Sequence, residues 1–186
     1  MNATQVLRDE HEGILAMLAV VESAALRVRA GKPVPPQLFT DAVGFFRNFA
    51  DRCHHAKEED ELFPKMEARG IPKEGGPIGA MLAEHDQGRA YIRGMSDAAE
   101  RFARGDAAAK GALTQNALDY VALLRAHIAK ENGILFVMAD QVLSDAEQSQ
   151  LYDAFAQIEL HRTGPGEHER YHAMIARYQD IAKRWN

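Results

Sequence analysis

The chain has a single cysteine, Cys53, among its 186 residues. An internal disulfide framework is therefore excluded, and a reducing, cytoplasmic setting is expected. No apolar run approaches the roughly 18 residues that a bilayer-spanning helix needs, so no membrane partner is expected. Met1-Asn2-Ala3-Thr4 runs directly into an amphipathic pattern. Without a charged stretch followed by an apolar one, no signal peptide is expected. There is no excess of base either: 22 Lys and Arg stand against 27 Asp and Glu, a net charge of −5. Nucleic acid, which calls for a basic face, is not an expected partner. Strand-type alternation is scarce and β-branched residues are sparse, which argues against sheet.

The bulk of the chain is ordinary for a soluble globular protein: 46% hydrophobic and 26% charged. Eight histidines are on the high side, and their placement carries more than their number. The pattern reads as helix throughout. A first helix covers about Thr4–Ala30 and ends at Gly31-Lys32-Pro33-Val34-Pro35-Pro36. A second runs from Pro36 or Gln37 to Arg69, with a bend or break expected near Pro64. Glycines and prolines in 70–79 make a loop. A third helix covers about Pro77–Arg104 and a fourth Ala107–Ala139. Ser144-Asp145-Ala146-Glu147 resembles a capping box opening a fifth, to about Arg162. Thr163-Gly164-Pro165-Gly166 breaks the chain before a last helix, Glu167–Lys183. The expectation is an all-α fold: an up-down-up-down four-helix bundle in residues 1–142. Residues 143–186, too few for a core of their own, form a helical extension packed on it.

One pattern repeats. Cys53-His54-His55-Ala56-Lys57-Glu58-Glu59-Asp60-Glu61-Leu62-Phe63-Pro64 returns in weaker form as His127-Ile128-Ala129-Lys130-Glu131-Asn132-Gly133-Ile134-Leu135-Phe136. Both copies hold H-x-x-K-E, with a histidine four residues before a glutamate. Residues i and i+4 share a helix face, so each copy can aim an imidazole and a carboxylate at one point.

A helical wheel at about 100° per residue orients the candidates. His11 lies among Leu7, Ile14, Leu15 and Leu18, and His85 among Ile78, Met81, Leu82 and Ile92. His127 and Glu131 share an arc with Leu113, Tyr120, Leu124, Ile134 and Met138. The second helix offers two registers, His54/Glu58 or His55/Glu59. The stripe Phe39, Val43, Phe46, Ala50 favours His54 and Glu58, leaving His55 and Glu59 on the outer flank. Glu61 falls near the His54 direction as an extra ligand or an acceptor behind one.

Four inward histidines and two inward glutamates, drawn from four helices, need a counter-charge. A buried carboxylate costs several kcal/mol unless it is paired or bound to a cation. Nitrogen and carboxylate donors together suit iron, manganese or zinc rather than calcium or magnesium. Six donors exceed what one tetrahedral zinc takes, and suit two ions with Glu58 and Glu131 bridging. Cys53 reads as a small buried residue. Arg89, one turn after His85, reads equally as a salt-bridge partner and as a charge near the metals. His168 and His172 repeat the i, i+4 spacing without a second set, and read as surface or helix-start packing.

His11, His54-x-x-x-Glu58 in HHAKEEDELFP, Glu84-His85, and His127-x-x-x-Glu131 in HIAKENGILF together resemble the hemerythrin-like (HHE cation-binding) domain of bacterial type, over about Val6–Ala139. The resemblance implies a four-helix bundle around a non-haem di-iron centre. It makes His11, His54, Glu58, His85, His127 and Glu131 the ligands of two iron ions, with an oxo or hydroxo bridge. The oxygen carriers of the family have H-x-x-x-H on the third helix, where this chain reads His85-Asp86-Gln87-Gly88-Arg89. The resemblance therefore leans to the bacterial members linked to oxygen, nitric oxide or peroxide responses and to iron handling. A small diatomic or peroxidic ligand is the expected partner. A sensor or store without turnover, and a bundle with a structural zinc, are the alternative readings.

Overall fold

A computed structural model describes residues 2–35, 37–162, 164 and 166–185. Among them there is helix and no strand. The elements are α1 (Ala3–Arg29), α2 (Gln37–Phe45), π1 (Phe46–His55), π2 (Glu58–Leu62), α3 (Phe63–Ala68), α4 (Pro77–Ala103), α5 (Ala109–Lys130), π3 (Glu131–Leu135), α6 (Phe136–Val142), α7 (Asp145–Arg162) and α8 (Glu167–Lys183). Residues 37–68 and 109–142 are each continuous helical rods, so the first four expected helices are four rods. Gln37 opens the second rod; Pro36, Thr163 and Pro165 lie outside the described residues.

The ends follow from local chemistry. Asn2 accepts from the Thr4 amide at 3.0 Å and caps α1. Pro77 supplies a preset φ at the start of α4. Gly31 and Gly105, at φ 72° and 86°, turn the chain after α1 and α4 in a conformation only glycine adopts readily. Ser144 and Glu147 form the reciprocal capping box: the Ser144 amide donates to Glu147 Oε2 at 2.9 Å, and the Glu147 amide to Ser144 Oγ at 3.4 Å. The break expected near Pro64 does not occur. Leu62 and Phe63 keep helical dihedrals (φ −70°, ψ −53°; φ −62°, ψ −42°), and the rod passes from π to α there. Proline in a first turn has no amide hydrogen to lose.

The buried side chains fall into two apolar clusters. One holds Ala3, Leu7, Leu62, Phe63, Ile78, Met81, Leu135 and Phe136. The other holds Ile14, Phe46, Phe49, Ile92, Leu113, Tyr120 and Leu124. Each rod crosses from one to the other, and at each crossing stands a buried polar residue: His11, then His54 with Glu58, then His85, then His127 with Glu131. The apolar layers above and below exclude water from that level.

The extension joins the same cores. Leu151 and Phe155 of α7 enter the first cluster; Tyr171, Ile175 and Tyr178 of α8 enter the second. The Tyr178 hydroxyl donates to Asp41 at 2.5 Å, and Arg69 bonds Glu147 at 2.7 Å. No helix among the described residues is long and apolar enough to cross a membrane.

Candidate metal centre

The six expected side chains meet at one level. His11 Nε2 lies 3.3 Å from Glu131 Oε2, and His127 Nε2 3.1 Å from Glu131 Oε1. His54 Nε2 and His85 Nε2 each lie 3.5 Å from one oxygen of Glu58. All are at most 1% exposed. Two groups of potential ligand atoms result, each within 4.8 Å: His11, His54, Glu58, Glu131, and His55, Glu58, His85, His127. Glu58 belongs to both.

His55 corrects the expectation that it lies on the outer flank. It is 4% exposed, and its ring stacks on His85 with centroids 3.8 Å apart and planes 13° apart. The cause is the backbone. Residues 46–55 form a π-helix with wider i→i+5 turns. Neighbouring residues are then closer in angle than the wheel's 100°, so His54 and His55 both face inward. Glu58 and Glu131 each open a further π turn.

Each imidazole is held from behind. His54 Nδ1 bonds Glu10 at 2.9 Å, His85 Nδ1 bonds Glu59 at 2.6 Å, and His127 Nδ1 bonds Glu84 at 2.9 Å. His11 Nδ1 bonds Asn132 Oδ1 at 2.9 Å, and His55 Nδ1 lies 3.4 Å from Asp51. These partners are acceptors, so Nδ1 carries the proton and Nε2 presents its lone pair to the centre. This carboxylate–histidine arrangement orients metal-binding rings. Glu59, expected on the outer flank, serves here. Glu61 stands in neither group.

Arg89 belongs to this outer layer. Its guanidinium bonds Asp51 at 2.8 Å, Glu59 at 2.6 Å and Asp86 at 3.0 Å. The ion pairs match the first of its two readings, and they tie together the carboxylates behind His55 and His85. Lys57 has the same role on the other side. It is fully buried, bonds Glu10, and lies 3.5 Å from Glu159 of α7. Glu10, Glu159 and His168 form a third group of potential ligand atoms, but the Lys57 ammonium already supplies their cation. His168 packs edge-on against Phe49, with centroids 5.0 Å apart, and His172 is exposed. Cys53 is buried, as expected.

The electrostatics of the centre are unbalanced. Burial, and then the charge of Glu131, push Glu58 well above the usual carboxylate range. Burial would also raise Glu131, but His127 and His11 more than offset it and hold it low. Burial holds His54 down at about 4 against the pull of Glu10, and burial with the neighbouring His85 lowers His55 strongly. Burial would raise Glu10 too, but His54 and Lys57 bring it to about 2. Both oxygens of Glu58 and of Glu131, and Nε2 of His11, are buried without a hydrogen bond to any described residue. Leaving such groups unpaired costs several kcal/mol each. The donor set is nitrogen and carboxylate oxygen, which fits iron, manganese or zinc.

Fold and site together define a helical protein with a buried histidine–carboxylate centre fit for metal cations. Residues 2–139 match the hemerythrin HHE cation binding domain, and the chain belongs to that family. The uncharacterized proteins Rv1995 and MT2051 of Mycobacterium tuberculosis and Mb2018 of Mycobacterium bovis are similar over nearly the whole chain. Each is 24% identical over 183 residues, 98% of this chain and 70% of the relative. No solved structure gives a significant match.

Proposed function

We propose that this chain is a non-haem di-iron protein that binds or reacts with oxygen, nitric oxide or peroxide, in an oxidative or nitrosative stress response. One observation carries the reading: two buried groups of metal-type donors share Glu58, with Glu131 beside them, and the oxygens of both glutamates make no hydrogen bond to any described residue. A shared carboxylate between two clusters suits a pair of ions rather than one. His11 and His54 would hold one ion, and His55, His85 and His127 the other, with Glu58 and Glu131 serving both. Iron rather than zinc or manganese rests on the family likeness.

Two ferrous ions, when bound, would supply the two electrons that take oxygen to the peroxide level or peroxide to water. The chain's own residues do the rest. Glu10, Glu59, Glu84 and Asn132 fix the tautomers of four rings. The apolar clusters on either side keep water out. Arg89 is committed to ion pairs; Tyr120, two turns before His127 on the same rod, is the donor we assign to the chemistry. It is fully buried, and its hydroxyl has no partner among the described residues.

The test is anaerobic purification with elemental analysis, then visible spectra on adding oxygen, peroxide or nitric oxide. About two irons per chain and a new absorption band are expected. One metal ion per chain, or zinc with no spectral response, overturns the reading. Sustained peroxide consumption marks an enzyme; a reversible spectral change without turnover marks a sensor.

A further inference from the structure

Beside the centre, where π1 meets α4, lies a cavity of about 350 Å³. Arg47, Asn48, Asp51 and Arg52 line it from π1, and Arg89 and Arg93 from α4. Arg47 and Arg52 are five apart on a π turn, and Arg89 and Arg93 four apart on an α turn, so each pair shares a face. Arg89 spends its nitrogens on Asp51, Glu59 and Asp86. Arg47, Arg52 and Arg93 are exposed, and none makes a side-chain hydrogen bond or ion pair among the described residues. Asp51, the acid of the lining, is ion-paired with Arg89.

Three unpaired guanidiniums gathered round one cavity run against the chain's net charge of −5. Their mutual repulsion opposes such clustering unless an anion offsets it. We propose that this cavity binds a small phosphate-bearing anion. Guanidinium forks match phosphate oxygens and can bond them two at a time. The volume is at the small end of ligand sites. A polymer is disfavoured, because the patch is local on an acidic protein.

The site has a consequence for the centre, and this part rests on the di-iron reading. An anion in the cavity competes with Asp51 and Glu59 for Arg89. Those two carboxylates hold Nδ1 of His55 and His85, so anion binding would alter the field around both rings.

The experiment is isothermal titration calorimetry on the full chain as purified, at low salt, with inorganic phosphate as probe and phenyl phosphate as a second arm. Arg52→Ala and Arg93→Ala are the variants. Both side chains are exposed and unpaired, so folding is not at stake. Arg104→Ala removes an exposed cation away from the cavity. One anion per chain is expected, weakened about tenfold or more by either cavity variant and unchanged by Arg104→Ala. Tighter binding of phenyl phosphate assigns an organic phosphate; equal binding assigns the free ion. No binding, or equal weakening by all three variants, overturns the site. In iron-loaded protein, with iron content measured before and after, phosphate should shift the visible spectrum of the wild type and not of Arg52→Ala. An unmoved spectrum overturns the coupling alone. A preparation that holds no iron defeats the di-iron reading, while the calorimetry still decides the anion site.

Discussion

His85 and His127 point their Nε2 atoms at one another across 3.0 Å. Both rings have Nδ1 bonded to a carboxylate, Glu59 and Glu84. Two neutral rings so held present facing lone pairs, which is repulsive until a proton or a metal ion lies between them. Without metal, the proton goes to His127: burial lowers its affinity, but Glu131 and Glu84 more than offset this and raise its pKa.

A pH profile of the metal-free protein follows from these shifts. His127 is raised, so the stability it contributes is present below about 6.5 and lost as pH rises through its folded value. His54, lowered to about 4, and His55, lowered strongly, act oppositely. They cost stability as pH falls below about 6.5, because the unfolded chain then binds more protons. Glu58, raised well above 4.5, adds to the loss on the alkaline side. Chemical denaturation should show the metal-free chain most stable near pH 6.5. Metal loading should raise stability, flatten the alkaline fall and release protons. Loading without proton release would contradict the facing-ring geometry.

His55 distinguishes seven donors from six. Replacing it with alanine should cut bound iron from about two per chain to about one, because it supplies one ring to one of the two groups. His172→Ala, on the exposed face of α8, should leave iron unchanged. Metal analysis of both variants decides. Full occupancy in His55→Ala would return that ring to a packing role against His85.

Tyr120 offers a test of opposite sign. Its hydroxyl is buried without a partner, and burial raises its pKa. An orphaned buried hydroxyl costs about 1–3 kcal/mol. Tyr120→Phe should therefore gain about 1 kcal/mol in urea denaturation, while slowing the reaction of iron-loaded protein with peroxide. A gain in stability with an unchanged rate would remove Tyr120 from the chemistry.

The helices were legible because their signals are local: the Ser144 capping box, the glycines at 31 and 105, and apolar spacing along four rods. Glu58 over Glu59 was legible from the same spacing. What the wheel could not carry was π1. A wheel fixes the angle per residue, and no residue in Phe46–His55 announces that the turn widens. The error therefore fell on His55, one position beyond the residue chosen. The outer carboxylates Glu10, Glu59 and Glu84 come from different turns and helices than the rings they hold. Only the packed rods bring them together.

The charge of Lys57 is matched across three helical segments. Its ammonium is fully buried between Glu10 of α1 and Glu159 of α7. Removing one member of such a pair strands the other charge and costs about 3–5 kcal/mol. Lys57→Met should therefore lose that much in urea denaturation. Adding Glu10→Gln should restore most of the loss, since the stranded carboxylate is then gone. Glu10→Gln alone should also weaken metal retention, because a carboxylate no longer holds His54 Nδ1. Additive losses in the double variant would mean that Lys57 acts through packing rather than charge.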